Sequence, residues 1–294
     1  MTEAPAIFLL ANDRVLANIV QLLHSLRVHG FANKVFCIEF NEETHFLKKV
    51  CRVFGVQSYD VGLERIASLG RRIYDGDPPA SPYPYCLGKL RKLSFLTYPK
   101  PAVYIDADCI VTAGAELFNQ IFAVPAPAIG YINTSPDGAY EDVPAAAALR
   151  DRSTFLTSGM IAKSHVAVDI AEFERFFDDA MIEHLHRVRR RNGYVDQPLW
   201  NFLVDCAFFS AVDLLADKRA SRVTSVTSDL TLQPNGSVSV GGLPVLLLHL
   251  AGPSLKKSPR YRYLLDGMLL GGLRDIAGSD PDSFSEINRF LFTR

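Results

Sequence analysis

The sequence predicts an α/β fold in which a mostly parallel sheet carries helices on both faces. Three observations predict it. Short apolar runs rich in Val, Ile and Phe alternate with segments of helical periodicity through residue 111. Glycines stop the helical segments. The chain has 294 residues, 48% of them hydrophobic, which is ample for a core.

The elements follow in order. "AIFLLAND" (6–13) reads as a buried strand. It feeds a helix in which Val15, Ile19, Leu22 and Leu26 recur at helical spacing until Gly30. "KVFCIEF" (34–40) is a second strand, and "ETHFLKKVCRVFG" (43–55) a second helix ending at Gly55. "VQSYDV" (56–61) is a short third strand. The Pro-, Gly- and Tyr-rich stretch 71–85 is expected as a loop near a site. Residues 88–100 look helical up to Pro99 and Pro101, and "AVYIDADCIV" (102–111) is expected as one strand. Beyond residue 111 the alternation loosens. "AIGYI" (128–132) and "FLTSGMIA" (155–162) read as strands separated by a polar loop. Residues 169–193 read as one long amphipathic helix, "DQPLWNFLVDCAF" (196–208) as a helix opened by its proline, and "PVLLLHLAG" (244–252) as a late strand. With no internal repeat or clean linker, residues 1–294 are expected to form a single domain.

Composition narrows the function. The formal net charge of -1 gives no basic footprint for a nucleic acid. Five cysteines without metal-site spacing (Cys37, Cys51, Cys86, Cys109, Cys206) suit reduced thiols in a cytoplasmic protein. The N-terminus lacks a basic segment before its short apolar run, unlike a signal peptide. No apolar run reaches the roughly 20 residues that span a bilayer, which leaves only peripheral membrane contact.

The chemistry is carried by "VYIDADCIV" (103–111), an apolar strand driving into Asp106 and Asp108. Ligands of open α/β sheets bind outside the carboxyl ends of the strands. Residues two apart on an extended strand point the same way. Two such carboxylates repel unless a cation or hydrogen-bond network lies between them, and a hard divalent ion held against a diphosphate satisfies both. An acidic pair that caps a helix or braces a loop is the structural alternative. The haloacid dehalogenase phosphatases also end a strand in Asp-x-Asp, but near the chain start and with a different residue where Ile110 stands.

Taken together, "LLANDRVLANIVQLLHSLRVHG", "YIDADCIV", "FLTSGMIA", "DQPLWN" and "HLAGPSLKK" resemble, in order, the motifs of the retaining glycosyltransferases that include glycogenin, the galactinol synthases and bacterial lipopolysaccharide sugar transferases. The resemblance covers most of the chain. It implies a GT-A fold, a Rossmann-like central sheet with a nucleotide-binding half (1–111) and an acceptor-side and donor-sugar half (112–294). It implies a metal-dependent hexosyltransferase that uses a nucleotide sugar, a UDP-hexose, and a saccharide or small-molecule acceptor. The ion would be Mn²⁺ or Mg²⁺, with Asp106, Asp108 and the strand-end His249 as its ligands; imidazole favours Mn²⁺. A core histidine is the structural alternative for His249.

The same resemblance implies that Ala11, Asn12 and Asp13 hold the nucleoside, although Val15 stands where the family often stacks a tyrosine on uracil. Lys256 would contact the diphosphate, one position later than in the family because Leu255 intervenes, with Lys257, Arg260 and Arg262 as substitutes. Lys89, rather than Arg72, matches the family's basic residue near the donor sugar; Lys92 lies one turn on. Ser158 and Gly159 would let the chain approach the sugar, and Thr157 replaces the family's Asn. Asp106 and Asp196 would bind the donor sugar, and Asp196 and Gln197 are the implied catalytic residues. Front-side displacement is the expected route, since the Gln197 carboxamide is a poor nucleophile. Two other classes remain: a sugar-nucleotide-binding protein without turnover, and a nucleotidyltransferase on a similar sheet, although "LLANDRVLAN" lacks that class's Gly-rich basic loop.

Overall fold

A computed structural model describes residues 4–75, 82–124, 128–133, 139–150, 156–165, 167–189, 196–216, 220–223, 230–233, 236–250 and 258–293. The strands are β1 (Ala6–Ala11), β2 (Val35–Glu39), β3 (Gln57–Ser58), β4 (Ala102–Asp106), β5 (Cys109–Val111), β6 (Ile129–Asn133), β7 (Leu156–Lys163), β8 (Ala211–Asp213), β9 (Ser221–Val223), β10 (Leu230–Leu232), β11 (Val238–Val240) and β12 (Leu243–His249).

Among the described residues, seven strands form the main sheet in the order β3-β2-β1-β4-β7-β6-β8. β1, β2, β3 and β4 pair in parallel; β7 runs antiparallel to both β4 and β6, and β6 pairs β8 in parallel. A smaller sheet follows β10-β11-β12-β5, with β9 beside β12. Strand alternation divides the core into two layers. Ile7, Leu9, Val103 and Ile105 pack against the helix Leu16–Val28 on one face. Phe8, Leu10 and Tyr104 pack against Phe95 and Trp200 on the other. Helices therefore cover both faces, as the sequence predicts. Burial of each such large side chain contributes about 1.5–3 kcal/mol.

Several expectations are corrected. Residues 102–111 are two strands, not one: β4 ends at Asp106, the chain turns at Ala107 and Asp108, and β5 joins the smaller sheet. Asp106 and Asp108 are thus not neighbours on one strand face. The expected loop 71–85 is largely helical at its ends, within helices Leu63–Asp75 and Tyr83–Leu90, because Ile66, Leu69 and Ile73 bury one face of the first. The helix expected after residue 88 tightens at Arg91–Thr97 into a 3₁₀ segment that buries Lys92, Leu93, Ser94, Phe95 and Leu96. The long helix expected over 169–193 is broken in two, Ile170–Phe176 and Asp179–Val188. Asp169 and Asp178 each cap a new start by accepting a backbone N–H. Two C-terminal helices, Pro259–Ser279 and Pro281–Phe292, were not expected. No helix among the described residues is long and apolar enough to cross a membrane.

Candidate active site

The site is built at the carboxyl edge of β4. Register with β1 pairs Asp106 with Leu10, so Ala11, Asn12 and Asp13 emerge from the sheet at the same edge. Antiparallel pairing of β12 with β5 sets His249 opposite Cys109, and the Leu250 N–H donates to the Asp108 carbonyl at 2.7 Å. His249 Nε2 consequently lies 3.4 Å from Asp108 Oδ1. β7 closes the site from the other side of β4. A Cβ on Gly159 would stand 2.7 Å from His249 Cε1 and 3.2 Å from both His249 Nε2 and Asp106 Oδ2. Only a residue without a side chain lets the imidazole and the first carboxylate share that space.

Asp106 is held by four groups. Tyr104, two residues earlier on the same strand face, donates its hydroxyl to Asp106 Oδ1 at 2.6 Å. Lys92 Nζ lies 3.4 Å from the same oxygen. Burial pushes the Asp106 carboxyl up, but Lys92, Lys89, His249 and the Tyr104 hydroxyl outweigh it and hold it well below the usual carboxylate range. Lys89 is held charged in turn, chiefly by Asp106 and further by Asp196 and Asp108, against the effect of burial. Tyr104 is pushed up by burial and by Asp106, so it remains a hydroxyl donor.

Asp196 does not act as an ordinary helix cap. It opens the helix Gln197–Asp205 but makes no side-chain cap bond. Its Oδ2 instead forms an ion pair with Lys92 Nζ, a close contact without hydrogen-bond alignment. Asp196 and Gln197 are both buried, and the Gln197 carbonyl accepts from Asn201 Nδ2 at 2.9 Å, fixing the helix start.

Asn12 and Asp13 lie at the expected edge but with their polar atoms engaged. Asn12 Oδ1 accepts from the Arg14 N–H and its Nδ2 donates to Asn41 Oδ1, both at 3.1 Å. The Asp13 carboxylate accepts from the Phe46 and Leu47 N–H groups at 3.2 and 2.7 Å, capping the helix His45–Phe54. The Ala11 carbonyl accepts from the Phe40 N–H. Arg72 points elsewhere, donating to the Phe177 carbonyl at 3.0 Å, which leaves Lys89 as the basic residue of this region among the two. Lys256, Lys257 and Leu255 lie outside the described residues, as do the side chains of Thr157, Ser158 and Arg260.

One residue of the site is not singled out in the sequence: Tyr104, the i−2 neighbour of Asp106. Lys92 enters there only as the rival of Lys89 one turn on; its burial between two carboxylates has no sequence signature. A third neighbour is Cys109, whose sulfur lies with the Asp108 and His249 ligand atoms within 4.8 Å of one another. The donor set fits a divalent ion. Carboxylate oxygens and an imidazole suit Mn²⁺, and Asp106 Oδ2 faces the same histidine. The Cys109 sulfur belongs to the buried apolar layer with Val111 and Leu247.

The chain matches no protein-family profile and no curated relative. Solved structures similar to it include glycosyltransferases. The bifunctional glycosyltransferase WbbM aligns over 99% of this chain with a TM-score of 0.54 at 14% identity. This chain spans about half of WbbM, 52% of its length. Mouse xyloside xylosyltransferase 1 aligns over 84% of this chain and 97% of its own, with a TM-score of 0.55 at 11% identity. The galactosyltransferase LgtC, solved with donor and acceptor sugar analogues, aligns over 89% and 95%, with a TM-score of 0.51 at 13% identity. At these identities the likeness is one of fold. The chain has the GT-A fold.

Proposed function

We propose that this chain is a single-domain, metal-dependent retaining glycosyltransferase that moves a hexose from a UDP-hexose to a saccharide or small-molecule acceptor in the cytoplasm. One observation carries the reading. On a GT-A fold, Asp106 and His249 meet at the bare Gly159 and Asp108 lies against the same histidine, with Lys89, Lys92 and Asp196 behind them. That arrangement supports the metal and donor-sugar roles implied by the sequence resemblance.

Asp106, Asp108 and His249 would hold Mn²⁺ or Mg²⁺. When bound, such an ion neutralises charge on the leaving nucleoside diphosphate. Lys89 adds fixed positive charge to the same edge, and Lys256 is the proposed second cation for the phosphates. Ala11, Asn12 and Asp13 would receive the nucleoside at this edge; the Asn12 amide has a second N–H besides the one given to Asn41, whereas the Asp13 carboxylate caps the helix His45–Phe54. Asp196 would accept hydrogen bonds from hydroxyls of the donor sugar, and Ser158 and Gly159 would let the sugar approach closely. The Gln197 amide oxygen would offset positive charge growing on the anomeric carbon. A carboxamide does not readily form a stable glycosyl ester, so the acceptor enters on the face the diphosphate leaves and the configuration is kept.

A thermal-shift screen of nucleotide sugars with and without Mn²⁺ tests the reading. Binding to the folded state raises the melting point by mass action. A UDP-hexose that raises Tm only with Mn²⁺ supports it; a full screen without any shift contradicts it. In the turnover that follows, an α-linked product by NMR supports retention, and a β-linked product refutes it.

A further inference from the structure

Lys92 has none of its side chain exposed, yet it carries a charge into the protein. Taking an ammonium out of water costs several kcal/mol unless it is paired. Its Nζ pairs with Asp196 Oδ2, lies 3.4 Å from Asp106 Oδ1 and sits 4.5 Å from the centre of the Tyr104 ring. The buried 3₁₀ segment Arg91–Thr97 fixes it there. Asp196, for its part, occupies the start of a helix, where an aspartate ordinarily turns back to cap the first N–H groups. It makes no such bond. Its carboxylate is turned toward Lys92 instead.

We propose that Lys92 is a positioning residue for donor-sugar recognition: it holds Asp196 Oδ2 away from the helix start, so that Oδ1 accepts from a hydroxyl of the sugar. The inference rests on the donor-sugar role proposed above for Asp196. The sequence resemblance assigns the basic residue near the sugar to Lys89. Lys92 acts one step behind, through a carboxylate rather than on the ligand. Its Nζ also lies near Asp106, so its loss should be felt more by the hexose than by the nucleotide.

The test is calorimetric titration of UDP and of UDP-glucose and UDP-galactose, with Mn²⁺, into wild type, Lys92→Met, Asp196→Asn and the double variant. Lys92→Met should weaken the preferred UDP-hexose by about ten- to a hundredfold, the scale of one hydrogen bond to a charged group, and weaken UDP clearly less. Asp196→Asn should do the same, and the double variant should be no worse than either single one, because both act on one contact. Equal loss of UDP and UDP-hexose in Lys92→Met would make Lys92 merely structural and overturn the inference. So would wild-type binding of UDP-hexose, or a double variant clearly weaker than both singles. Should Lys92→Met fail to fold with its carboxylates unpaired, the double variant, which removes both charges of the pair, decides by comparison with Asp196→Asn. A wild type that binds neither UDP nor any UDP-hexose overturns the functional reading, and this inference with it.

Discussion

Gly159→Ala isolates the metal site from the fold. Gly159 lies in β7, and its backbone is not in the left-handed region that only glycine favours, so alanine fits the strand itself. The added Cβ would stand 2.7 Å from His249 Cε1, closer than carbon atoms pack, and 3.2 Å from His249 Nε2 and Asp106 Oδ2. Something must yield. Overpacking of this kind costs about 1–3 kcal/mol. His249 is the last residue of β12, so its ring is the part that yields, whereas β7 and β4 are locked by a continuous register from Ala102 to Ile105. The strain then appears as lost ligand geometry rather than lost fold. Converted at about 1.4 kcal/mol per decade, Mn²⁺ affinity falls by roughly five- to a hundredfold. Isothermal titration with Mn²⁺ measures it, beside a thermal melt. The control is Gly130→Ala in β6, whose Cβ would press on Leu214 and Val124 at 2.6 and 2.7 Å; it should lower Tm and leave Mn²⁺ affinity alone. A Gly159→Ala protein that binds Mn²⁺ like wild type would refute the reasoning.

Two further outcomes follow from the structure. Gln197→Ala should lower kcat by about ten- to a thousandfold with donor affinity little changed, since the amide acts on charge that develops only in the transition state; steady-state kinetics at saturating donor check it, and an unchanged kcat would remove Gln197 from the mechanism. Lys163, buried with its Nζ donating to the Lys100 and Ser164 carbonyls, is pushed down by burial to about 8 from an ordinary 10.5. Between those values the unfolded chain holds a proton that the folded one has released, so stability rises with pH. Melts from pH 7 to 10 should show wild type gaining on Lys163→Met above pH 8, and parallel curves would contradict this.

What the sequence discloses here depends on range. Continuous apolar runs placed β1 and β2, which are buried on both faces, and helical spacing of apolar residues placed the helix Leu16–Val28. Local pattern could not see that the apolar run 102–111 changes sheets at Ala107, since both halves are equally buried and the turn carries no Gly or Pro. It could not see Asp169 and Asp178 dividing one amphipathic pattern into two capped helices. In the site, Asp106 and Asp108 stand out in the sequence because strand ends bear chemistry in such sheets, whereas His249 is singled out only by the family resemblance. The Lys92–Asp196 pair joins positions more than a hundred residues apart, and nothing in either local stretch distinguishes it from a surface lysine and a helix cap. The C-terminal helix Pro259–Ser279 was missed for a related reason: glycines interrupt its pattern, and Gly271 and Gly272 are there because a side chain would strike His24 and Val20 of the first helix.

The central claim is that Asp106, Asp108 and His249 hold a divalent cation against a nucleoside diphosphate. Titrating UDP into the wild type, Asp108→Ala and His249→Ala proteins, each with Mn²⁺ and again with excess chelator, measures this directly. The account predicts binding to wild type with Mn²⁺, loss of that binding in chelator and in both variants, and circular dichroism spectra that stay the same. Equal binding of UDP by wild type with Mn²⁺ and in chelator, or by either variant as tightly as wild type, would contradict it.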